Sequence, residues 1–275
     1  MKTKLILFVS AITALTFVSC DKSENLSIAQ TENSQLISEE QAVEQASTEI
    51  DGTTDEALAM KSISLKSANV DANNWIGSCA VVTIDTASAT KSLTIDFGTS
   101  CVGNDGKTRS GKIIITSTSF SKLNVERTVS FQNFIVNGDT VTGTIKKTFQ
   151  LVLDQYKRKA HIVEDIAIKR KDNAGTASRK ADMYRIYDFN RPLLVRDDRI
   201  TTWGTSQFTN VKGATLSKTV TELKPLIYRV ACRQVVSGIQ VITRPNKTLT
   251  IDFGDGICDG FATVSDGTNS WTIKL

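Results

Sequence analysis

Residues 124–153 read NVERTVSFQNFIVNGDTVTGTIKKTFQLVL. Val125, Val129, Phe131 and Ile135 fall on one parity of the first half, and Val141, Ile145, Phe149, Leu151 and Leu153 on one parity of the second. Side chains along a strand point alternately to its two faces, so period-two spacing marks strands with one buried face. Asn137-Gly138-Asp139 sits between the halves, and Asn-Gly accepts the positive φ angles of a tight hairpin turn. The stretch therefore predicts one long hairpin.

The same spacing continues outward. Ile162, Ile166 and Ile168 alternate, as do Leu226, Tyr228 and Val230. No stretch after residue 70 carries a helical stripe. The three prolines, Pro192, Pro225 and Pro245, stand where strands start or chains turn. About a dozen strands are expected in residues 71–275, forming an all-β domain. It is either an antiparallel sandwich or a long curved sheet, since a sheet of this size curls or splits into two layers.

The two ends of that domain repeat each other. Lys91-Ser-Leu-Thr-Ile-Asp-Phe-Gly98 matches Lys247-Thr-Leu-Thr-Ile-Asp-Phe-Gly254 at every position but the second. Cys79 and Cys101 flank the first copy, and Cys232 and Cys258 the second. Four cysteines allow three pairings. The repeat favours Cys79–Cys101 and Cys232–Cys258, each closing a similar loop in an oxidising compartment.

The amino-terminal end reads differently. MKTKLILFVSAITALTFVSC places two lysines before a mostly apolar run ending at Ser19 and Cys20. The run is too short to span a bilayer and has the form of an export signal. Phe17-Val18-Ser19-Cys20 resembles the lipobox of bacterial lipoproteins. That resemblance implies cleavage of residues 1–19, a diacylglyceryl group on the Cys20 thiol and an anchor in the membrane through this N-terminal lipid. The outer membrane is the favoured address, on its periplasmic side or at the cell surface. Residues 20–70 hold no Pro or aromatic, and positions 21–70 carry ten acidic and three basic side chains. They read as a lipidated polar tether, with one short helix at 38–48. Ser38 would cap it, and Val43, Ala46 and Ile50 would share a face. Residues 71–275 are basic instead, with 28 Lys and Arg against 19 Asp and Glu.

Asn104-Asp-Gly-Lys-Thr-Arg-Ser-Gly-Lys-Ile-Ile-Ile115, following TIDFG and a cysteine, resembles a family of uncharacterised bacterial lipoproteins. Phe131 to Gly138 and Val141 to Thr144 fit the same resemblance. It implies an exported β protein and brings no catalytic residues.

Other residues point weakly to chemistry. Asp252, Asp255 and Asp259 among glycines read as turns, or as ligands for Ca²⁺. Lys157-Arg-Lys159 and Lys169-Arg-Lys171 bracket one strand and could draw an anionic glycan or headgroup. His161 is the only histidine, which excludes multi-histidine metal sites. Trp75, Trp203 and Trp271 are core residues or a sugar platform. No catalytic set, metal site or cofactor motif stands out. The expectation is a non-catalytic envelope module that binds an anionic glycan or another envelope protein, or acts structurally, and not a nucleic-acid partner. A lipid carrier is the alternative, and a glycan-active enzyme the more remote one.

Overall fold

The computed structural model describes residues 36–58 and 76–275, apart from 38, 45, 56, 104, 121–123, 152–156, 173, 189–198, 230 and 233. The expected export signal, Cys20, the flanking parts of the expected tether and Trp75 lie outside the described residues. These contain one helix, α1, within 36–58, and fifteen strands. In chain order the strands are β1 Val81–Asp85, β2 Lys91–Asp96, β3 Cys101–Val102, β4 Thr108–Ser117 and β5 Glu126–Val136. Then come β6 Asp139–Leu151, β7 Lys157–Lys169, β8 Thr176–Asp188, β9 Arg199–Thr209 and β10 Thr215–Val220. The last are β11 Leu226–Arg229, β12 Gln234–Arg244, β13 Lys247–Asp255, β14 Phe261–Ser265 and β15 Ser270–Lys274.

All fifteen belong to one antiparallel sheet, so the protein is all-β and the single curved sheet replaces the sandwich. Chain order is almost the spatial order. Only β3, which pairs with β4, and β11, which pairs with β9 and β12, leave the main path.

The expected hairpin at 124–153 is β5–β6. Val136 pairs with Asp139 across Asn137 and Gly138, both at positive φ. The alternation slips within β5. Asn133 adopts φ 49° and the pairing with β6 shifts between Ser130 and Ile135. A bulge of this kind moves the buried phase by one residue. Phe134 is therefore buried and Ile135, expected on the core parity, is only half-buried.

The repeat is also structural. Cys79 and Cys232 each stand two residues before a strand, β1 and β12, that forms a hairpin with the repeated segment in β2 and β13. Asp96 Oδ1 accepts from Gly98 N at 2.9 Å, and Asp252 Oδ1 from Gly254 N at 2.9 Å. Both glycines have positive φ. The four cysteines are joined as Cys79–Cys101, with 5.5 Å between Cα atoms, and Cys232–Cys258, with 6.0 Å. Burial differs between the copies. Leu93, Ile95 and Phe97 are in the core, whereas Ile251 and Phe253 are half-buried near the end of the sheet.

Residues 36–58 correct the tether reading. They form a helix of about six turns rather than a free polar segment, because its polar side chains meet partners in the sheet. Leu36, Val43, Ile50 and Ala57, seven apart, are buried and belong to the same core as β2 to β14. Gln41, Ala42, Thr48 and Gly52 remain exposed on the opposite side. Beside the apolar stripe runs a polar row, Glu40, Glu44, Ser47, Asp51 and Asp55, at helical spacing.

Within about two turns, α1 touches both flanks of the sheet. Ala46, Ile50 and Thr53 face Arg109 and Ile113 on β4 and Phe134 on β5. Asp51 faces Lys147 on β6 and Arg185 on β8. A flat sheet would separate β4 from β8 by about 19 Å, against a helix diameter of about 10–12 Å. The sheet therefore bends around the helix.

Candidate functional site

Two surfaces result, an inner face filled by α1 and an outer face open to solvent. The inner interface is a row of buried charge pairs. Lys218 on β10 contacts Glu40 at 2.5 Å and Glu44 at 2.7 Å. Arg179 on β8 pairs with Glu164 on β7, and Ser47 donates to Glu164 at 2.6 Å. Lys147 reaches Asp51 at 2.6 Å and Asp55 at 3.0 Å. On the other flank Lys107 pairs with Glu49.

Burial without full compensation raises the Glu40 carboxyl above the ordinary carboxylate range, and the nearby Glu44 adds to this against Lys218. For Lys147, burial alone would depress the pKa, but Asp51 and Asp55 outweigh it and hold the ammonium above the ordinary lysine range. The space left between α1, β4 and β5 is about 10 Å³, no more than one water occupies. At this flank the helix is closely packed on the sheet.

The outer face carries a groove of about 570 Å³ across β7, β8, β9 and β10. No residue of α1 lines it. Strand register sets three cross-strand rows on this face, of which the second and third line the groove and the first stands beside it. The first is His161, Tyr184 and Trp203. The second is Val163, Asp182, Thr205 and Thr219, and the third Asp165, Lys180, Gln207 and Ser217. Small side chains in the second row leave the depression. All three rows stand on paired strands, which fixes their spacing without any loop.

The first row is a column of rings. His161 stacks on Tyr184 with centroids 4.4 Å apart, and Tyr184 on Trp203 at 5.5 Å. Lys159 Nζ lies 4.9 Å from the Tyr184 centroid and 5.0 Å from that of Trp203. His161 Nε2 lies 2.7 Å from Asp182 Oδ1, so the histidine is tied to the groove's second row. In the third row Asp165 and Lys180 pair at 3.3 Å.

The residues singled out in the sequence do not assemble into one site. Trp203 is buried within the ring column with its face against Tyr184, while Trp271 is exposed on β15 at the end of the sheet. A three-tryptophan platform is therefore not formed. The basic runs are spent separately. Lys157 pairs with Asp188, Arg170 with Asp139, and Lys159 covers the rings. Asp252 and Asp259 accept backbone N–H groups in turns. Among the described residues no three His, Cys, Asp or Glu side chains converge as metal ligands. Nor is any helix among them long and apolar enough to cross a membrane.

Sequence reasoning missed Lys180, Asp182, Thr205, Gln207, Ser217 and Thr219. Parity on β7 does put His161, Val163 and Asp165 opposite the buried isoleucines. The lateral order of four strands, however, is set by register and not by any local signal. A scan against protein-family models, a search of curated proteins and a search of solved structures each found no match.

Proposed function

We propose that the protein is a lipid-anchored, extracytoplasmic, non-catalytic binding module of the cell envelope, attached through Cys20 and presenting the outer face of its sheet. The observation that carries this reading is the division of the sheet. The inner face is covered by α1, and the outer face holds an open groove, rimmed by polar side chains, on its central strands. Two disulfides suit an oxidising compartment, and the lipobox resemblance supplies the address.

The covered inner face argues against the carrier alternative, since an acyl chain needs room that α1 occupies. The two groove carboxylates, Asp165 and Asp182, are more than half exposed, and each has its own partner in Lys180 or His161. That arrangement suits recognition better than glycoside cleavage, which needs an acid and a base set about one bond.

Intact-mass analysis of protein taken from membranes tests the anchor. The expected mass is that of the chain from Cys20 plus acyl groups, and Cys20→Ala should move the protein out of the membrane fraction. An unmodified mass, or tethering that survives Cys20→Ala, contradicts the proposal. Stoichiometric lipid beyond the anchor would restore the carrier.

A further inference from the structure

We infer that the outer-face groove is a subsite for a neutral, polyhydroxylated chain, an oligosaccharide lying across β7 to β10. This rests on reading the protein as a binding module and names its ligand class. The groove's volume of about 570 Å³ falls in the range of about 300–1,000 Å³ usual for ligand sites. It is open and shallow, so its ligand stays largely hydrated.

Its chemistry eliminates the other classes. Val163 and the small Ala181 are the apolar residues of its lining, too little side chain to enclose an acyl chain in an open groove. Every strand beneath it is paired on both sides, so no backbone edge is offered to an extended peptide. An anion would meet Asp165 and Asp182, and a cation would meet Lys180, so neither sign is favoured.

What remains is an array of groups that donate and accept side by side. The hydroxyls of Thr205 and Thr219 and the amide of Gln207 do both, and the two carboxylates accept. Vicinal sugar hydroxyls also donate and accept, and their spacing suits groups fixed on adjacent strands. The ring column forms the wall beside the floor. Its faces are turned to one another, so it offers a ligand ring edges rather than a stacking plane.

Native affinity electrophoresis of the detergent-solubilised mature protein tests this. The gels contain hydroxyethylcellulose, a β-1,3-glucan, a mannan or soluble chitin oligomers, with alginate as the polyanionic arm. Retardation by at least one neutral glycan is expected. It should weaken roughly tenfold in Gln207→Ala/Thr219→Ala, as loss of one or two hydrogen bonds implies, and persist in the distant Thr248→Ala. Both groove side chains are exposed, so their truncation opens no cavity in the core. Retardation by none of the neutral glycans, by alginate alone, or equally for the groove variant and wild type overturns the inference. Loss of the acyl mass at Cys20 would sink the proposed attachment without affecting these gels, so the two readings fail separately.

Discussion

Lys147 on β6 donates to Asp51 on α1 at 2.6 Å across 96 positions of chain, with both side chains buried. Arg185 contacts the same carboxylate at 3.2 Å. One aspartate thus fastens the helix to two strands of the sheet.

Asp51→Ala should lower stability by about 3–5 kcal/mol, because it leaves Lys147 and Arg185 buried with less compensating charge. The midpoint of urea unfolding reads this. Asp55→Ala, at a half-exposed carboxylate, should cost clearly less. Equal effects would mean that burial of the pair is not what matters.

Glu40 makes an opposite prediction. Burial raises its folded pKa above the unfolded value of about 4.3. The folded state then holds this proton more tightly, so the contribution is full below the unfolded pKa and is lost as pH rises through the folded pKa. Glu40→Gln should be at least as stable as wild type at pH 7, with Lys218 still held by Glu44. The stability difference should shrink towards pH 4. Urea titrations at the two pH values measure it, and a variant strongly destabilised at pH 7 would contradict the assignment.

Each disulfide closes a loop of similar length, with partners 22 and 26 positions apart. Cys79→Ser/Cys101→Ser and Cys232→Ser/Cys258→Ser should each cost about 3 kcal/mol in the chain-entropy account. Thiol labelling of the unreduced, denatured body should find none of the four sulfurs free. Labelling at any of them would refute the pairing.

Gly204, next to Trp203, adopts φ 131°, and a Cβ there would lie 2.2 Å from the Asp182 backbone oxygen. Gly204→Ala should therefore destabilise by more than about 1 kcal/mol. It should also disturb the groove, because Asp182 sits in its second row. Thermal melting gives the first effect, and a change in tryptophan fluorescence from the Trp203 column reports the second.

Much of the fold is legible in local pattern. The β5–β6 hairpin follows from alternation and Asn137-Gly138, and the paired cysteines follow from the repeated LTIDFG. Phe134 was not legible, because a bulge at Asn133 changes which parity is buried. The helix was legible only in part. Val43 and Ile50 mark a face, but Glu40, Glu44, Asp51 and Asp55 read as solvated charge until cations from β6, β8 and β10 are placed against them.

The sequence by itself determined strands and turns, since each depends on neighbours within a few residues, and its repeated segment marked the cysteine frame. Tertiary structure alone decided that one sheet bends around α1 and that His161, Tyr184 and Trp203 stack beside a groove. Those features arise where distant segments come into register, and lateral strand position leaves no trace in the order of residues along any one strand.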